Sequence, residues 1–82
     1  MTEEEKNSAS IYVEQILTEE VNKRINSEVK YRTARKMVDA NPKDEEMNGV
    51  STQALRAMQY LDFEILSIRE IQKDIEEGKL QF

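Results

Sequence analysis

The chain has 82 residues, 35% charged and 38% hydrophobic, with twelve Lys and Arg against seventeen Asp and Glu for a net charge of −5. It contains no His, no Cys and no Trp, which excludes a disulfide scaffold, a thiolate or imidazole metal site, a Cys or Ser–His triad, and the residue most often used as general base. Gly occurs twice and Pro once, too few for a set of hairpin turns, so the composition points to an all-α fold.

The longest uninterrupted apolar run is Ile11-Tyr12-Val13, which offers neither a transmembrane span nor the apolar stretch of a secretory signal. A cytoplasmic protein without membrane insertion is expected. The acidic balance weighs against nucleic acid as a partner and against adsorption to anionic lipid.

In chain order, the first predicted element is a long helix over about 8–40. Thr2-Glu3-Glu4-Glu5 reads as a capping box, which offers an earlier start at Thr2, while Asn7, Ser8 and Ser10 offer later ones. Its apolar residues are dense at Ile11, Tyr12, Val13, Ile16 and Leu17 and then thin to one per turn at Val21, Ile25 and Val29. Steps of four residues advance about 40° each time around the axis, so this narrow stripe winds and suits a crossing helix or a second subunit. A connection follows over 41–50, where Pro42 disfavours helix at Asn41 and Asn48-Gly49 reads as a turn.

The second helix is predicted over about 51–77, with Ser51 as N-cap and Gly78 as the C′ residue that stops it. Ala54, Met58, Leu61, Ile65 and Ile68 recur at 4-3-4-3, continued by Ile71 and Ile75 after a one-residue slip, with Phe63 and Leu66 broadening the face. Residues 78–82 form a tail. The fold expected is therefore two long helices in an antiparallel hairpin, a single helical domain over 1–82. Each helix in a lone hairpin has one neighbour, so burying both stripes calls for self-association, most simply a dimer that makes a four-helix bundle. Val21, Ile25, Val29, Met58, Leu61, Ile65, Ile68 and Ile75 are the candidate core and oligomer residues.

Charge is unevenly placed. Residues 1–20 carry −5, residues 23–36 carry +5, residues 39–50 carry −3 and residues 51–82 carry −2. The basic block of Lys23, Arg24, Lys30, Arg32, Arg35 and Lys36 surrounds its helix, with Tyr31 inside it. It reads either as macrodipole complement and solubility or as a docking patch for an acidic protein surface. Lys23, Arg24, Tyr31, Arg32, Arg35 and Lys36, with the tail residues Leu80 and Phe82, are the candidate partner-binding residues. Asp44-Glu45-Glu46 lacks the ligand spacing of an EF-hand. The serines have no base partner, and no Gly-rich phosphate loop is present. No metal, no cofactor and no catalysis are expected.

The stretch IYVEQILTEEVNKRINSEVKYRTARKMVDANPKDEEMNGVSTQAL, residues 11–55, resembles the RIII-type cytoplasmic antiholins of T-even phages. That resemblance implies a lysis-inhibition regulator that binds the cytoplasmic part of the phage holin and delays formation of the membrane lesion; it transfers no site residues. Two other functions fit the residues. One is a sponge or inhibitor that holds a phosphorylated nucleotide between subunits with the basic block and Tyr31, and the other is a passive helical assembly scaffold.

Overall fold

The computed structural model describes residues 2–79, and the chain is an all-α helical hairpin. Helix α1 runs Glu3–Ala40 and helix α2 runs Glu45–Glu76. At 1.5 Å per residue the 38 residues of α1 account for the molecule's length, which is 59 Å against a cross-section of 15 × 14 Å.

Each helix end is set by local chemistry. The Thr2 hydroxyl accepts the Glu5 backbone N–H at 3.1 Å while the Glu5 carboxylate reaches back to the Thr2 backbone N–H at 3.4 Å, a capping box that starts α1 before residue 8. Three glutamates in the first turn complement the positive end of the helix dipole. After Ala40 a turn through Pro42 and Lys43 is closed by the Asp44 N–H donating to the Asn41 carbonyl at 3.1 Å.

Asp44, not Ser51, is the N-cap of α2; its carboxylate accepts the Met47 N–H at 3.0 Å. Asn48-Gly49 consequently lies inside the helix, where Gly49 costs roughly 1 kcal/mol relative to Ala, and the connection shrinks from 41–50 to 41–44. At the other end Gly78, at φ 70°, lies beyond the last turn as expected. Its N–H donates to the Ile75 carbonyl at 3.2 Å and the Lys79 N–H to Asp74 at 2.8 Å, the paired bonds of a Schellman stop. Leu80 and Phe82 lie outside the described residues.

The seam between the helices has one rule on both sides. In α2 the inward residues are Met47, Ser51, Ala54, Met58, Leu61, Ile65, Ile68, Gln72 and Ile75, an unbroken 4-3 alternation of buried and half-buried side chains. Gln72 therefore holds the position expected of Ile71, which is largely exposed, and the stripe has no slip. In α1 the same alternation selects Ser10, Val13, Leu17, Glu20, Arg24, Ser27, Tyr31, Ala34 and Val38.

Two polar contacts fix the antiparallel register. Arg24 Nε donates to Asp62 Oδ1 at 2.9 Å and Gln72 Nε2 to Glu14 Oε2 at 3.3 Å, and in each pair the residue numbers total 86. Residues whose numbers total about that value lie at one level of the hairpin, so the large Tyr31 falls opposite the small Ala54, and Glu20 opposite Ile65.

The winding stripe expected at Val21, Ile25 and Val29 is not the seam. Val21 is half-buried at its edge, while Ile25 and Val29 are 53% and 58% exposed. A straight α2 stripe needs a straight partner, and only the 4-3 positions of α1 stay on one side over ten turns; of their polar members, Arg24 is held by Asp62 and Glu28 and Glu20 by Lys23. Phe63 and Leu66 likewise do not broaden the seam; both face solvent.

Candidate interaction surface

Met58, Leu61 and Ile75 are buried and Ile65 and Ile68 half-buried, all within the hairpin's own seam. They hold the two helices together, and Ile68 also lines a cleft on one flank. The surface available to a partner lies on the flanks and outer faces.

The basic block is divided by the same geometry. Arg24, with its side chain 25% exposed, bridges Asp62 on α2 and Glu28 on its own helix at 2.9 and 3.2 Å. Hydrogen bonds from its guanidinium to Asp62 and then Glu28 raise its pKa above the ordinary arginine value. It thus clamps the two helices together, and Tyr31 lies half-buried in the seam. Lys23 pairs with Glu20 at 3.0 Å, Arg32 with Glu28 at 3.5 Å and Arg35 with Asp39 at 3.5 Å. Among the described residues Lys30 and Lys36 have no ion pair. Exposed pairs of this kind contribute between nothing and about 1 kcal/mol each, so Arg32, Arg35 and Lys36 remain available to a partner.

Two surfaces emerge, the first of which keeps Ile25, Val29 and Arg32 of the stripe expected to receive a partner helix. On the outer face of α1, Ile25, Val29, Arg32 and Lys36 follow one another at 4-3-4 spacing, all exposed, so two apolar side chains continue directly into two cations. On one flank of the hairpin, positions 16, 23, 30 and 37 of α1 run beside 50, 57, 64 and 71 of α2. This flank carries two shallow clefts, one with Ile16, Glu20, Tyr60, Phe63 and Glu64 on its walls and the other with Lys30, Val50, Ala54 and Ala57. The opposite flank carries Glu14, Glu28, Arg35, Asp62 and Arg69 and is mostly charged.

Glu20 is the unusual residue of the first cleft. It is 9% exposed, Lys23 holds its Oε1, and its buried Oε2 has no hydrogen-bond partner. The approach of Glu64, then the hydrogen bond and charge of Lys23, outweigh the desolvation that opposes them and hold the Glu20 carboxyl below its ordinary range. The Tyr60 hydroxyl lies against the same Glu64, whose bond to the neutral phenol and negative charge push Tyr60 upward. Sequence reasoning missed this cluster because Glu20, Tyr60 and Glu64 come together only once the register is fixed; the signal available was a carboxylate at a seam position of the 4-3 pattern.

Among the described residues no group of three His, Cys, Asp or Glu is placed to hold a metal ion, and no helix is long and apolar enough to cross a membrane. No protein-family model, curated protein or solved structure matches the chain.

Proposed function

We propose that this is a non-enzymatic regulatory protein that acts by binding another protein. The observation that carries the reading is the outer stripe of α1, where Ile25 and Val29 are more than half exposed beside Arg32 and Lys36 although the hairpin makes no use of them. Exposed apolar side chains continuous with cations suit an amphipathic, acidic partner helix laid along α1. The resemblance to RIII-type antiholins supplies the partner to test first, the cytoplasmic segment of a T-even holin. Binding that segment more tightly in its unassembled than its assembled state would delay the lesion, since a ligand shifts an equilibrium only by its differential affinity.

A nucleotide cradle is less well supported. Arg24 and Tyr31 are committed to the hairpin, and Lys30, Arg32 and Arg35 project from different sides of α1.

An immobilised holin cytoplasmic peptide is expected to capture the wild-type chain. Reversing both charges of the stripe, Arg32→Glu with Lys36→Glu, should weaken capture by about tenfold or more while the far-ultraviolet dichroism stays unchanged. Undiminished capture by the doubly reversed variant would remove the stripe from the mechanism.

A further inference from the structure

The face of α2 turned away from α1 has a symmetry of its own. At its middle Tyr60, Phe63 and Leu66 are 65%, 68% and 57% exposed, and at 100° per residue Tyr60 and Leu66 lie about 60° to either side of Phe63. None of the three belongs to the seam, and together they form an apolar patch that the hairpin leaves in water. Arg56 precedes Phe63 by seven residues and Glu70 follows it by seven, so the two stand about 10 Å to either side along the axis and within about 20° of its direction. Both are exposed, and among the described residues neither has an ion pair. The order along this face is cation, apolar patch, anion.

We infer that this face is the interface of a homodimer, in which a second copy of the chain packs α2 antiparallel against α2 about a two-fold axis passing beside Phe63. Both α1 helices then lie outermost. The Ile25–Lys36 stripe stays free on each, so the inference stands whether or not a holin segment binds there.

The rotation reverses the direction of the partner's α2 and keeps each side of the face on its own side. Phe63 meets the partner's Phe63 at the axis, with the two Tyr60 rings on one side of the pair and the two Leu66 side chains on the other. Large aromatic side chains contribute most at such a centre. Arg56 comes level with the partner's Glu70, and Glu70 with the partner's Arg56, so one contact supplies two intermolecular ion pairs. Asp74 falls one turn beyond Glu70, beside the same partner arginine, and Lys73 is held by its own Glu77 at 4.0 Å. Asp62 and Glu64, about 100° to either side of Phe63, lie on the flanks, Asp62 with Arg24 and Glu64 in the cleft with Glu20. A parallel arrangement would instead set Arg56 against Arg56 and Glu70 against Glu70, so the charge order selects the antiparallel one. With one helix from each partner the contact is at the small end of specific interfaces, which makes the dimer reversible; being two-fold, it is also closed.

Sedimentation equilibrium of the full chain tests this by charge reversal. The wild type is expected to show a reversible monomer–dimer equilibrium. Arg56→Glu sets acids against each other at both ends of the contact and Glu70→Arg sets bases, so each single variant should raise the dimer dissociation constant by about tenfold or more. Fourteen residues separate the two positions, about 21 Å of helix, so repair of one reversal by the other acts only between copies. An equimolar mixture of the two single variants should therefore associate more tightly than either alone, and the chain with both reversals should regain the wild-type constant. Phe63→Asp should leave only monomer, and Ile25→Asp, on the outer face of α1, should leave the dimer unchanged. All these variants alter exposed positions and should keep wild-type helical dichroism. A wild type that is monomeric at every concentration, assembly beyond two copies, a dimer indifferent to Arg56→Glu, or single variants that fail to associate when mixed would each overturn the proposal.

Discussion

Ile65→Asp is expected to abolish the cooperative thermal transition of this protein and to remove most of its helical dichroism at 25 °C. Ile65 belongs to the 4-3 seam of α2 and lies opposite Glu20, with Glu64 beside it. The substitution removes an apolar contact, which for Ile or Leu truncated in a core costs about 2–5 kcal/mol. It also places a third carboxylate against the Glu20–Glu64 pair, where Lys23 already serves two. For a domain of this size the whole stability is on the order of 5–10 kcal/mol, and a hairpin has no second layer to absorb the loss. Ile25→Asp supplies the contrast. It makes the same chemical change at a residue 53% exposed on the outer face, and surface changes of that kind stay within about 0.5 kcal/mol. Equal melting of the two variants would mean that the seam runs along the other side of the helices.

What the sequence disclosed and what it concealed follow from how seam positions were filled. From Ala54 to Ile68 every seam residue of α2 is apolar, so its alternation is visible without a structure. At Gln72 the pattern continues in a polar residue while an isoleucine stands next to it at 71, and following hydrophobicity alone leads off the seam by one position. The same displacement explains α1 on a larger scale. Its central seam positions are Glu20, Arg24 and Ser27, whereas Val21, Ile25 and Val29 stand beside them, so the most apolar track is not the buried one. Val13, Leu17, Tyr31, Ala34 and Val38 keep the 4-3 spacing on either side of that polar centre, and they are the signal that identifies the true face. Asp44 with two glutamates after it was a readable N-cap, but Gly49 and Asn48 formed a stronger turn signal; an interior glycine is tolerated here because Met47 and Ser51 extend the seam past it. The interaction surfaces were less legible than the fold. The basic block is continuous in sequence, yet the helix distributes it so that Arg24 closes the hairpin, Lys30 faces one flank, and Arg32 and Lys36 join Ile25 and Val29 on the outer face.

The polar centre of α1 also sets the second large expectation, that Glu20→Leu raises the melting temperature by roughly 5–10 °C at neutral pH and a fixed protein concentration. Glu20 places a carboxylate in the seam with one oxygen buried and unpartnered, and leucine at that position extends the apolar contact with the level of Ile65. Removing one member of an ion pair is costly when the other is left buried, but Lys23 is 63% exposed on its side chain and returns to water. The pH dependence has a defined sign. Glu64 and Lys23 hold the folded Glu20 below its ordinary value of 4.5, so the wild type retains this contribution above that pH and loses it as the pH falls through the lower folded value. The leucine variant has no such group, and its advantage over the wild type should therefore widen between pH 5 and pH 3, a range set by that direction of shift. Calorimetric scans of both proteins across this range provide the measurement. A variant that melts below the wild type at neutral pH would show that the Glu20 carboxylate is worth more to the seam than an apolar side chain, which would place the anionic cluster among the determinants of the hairpin itself.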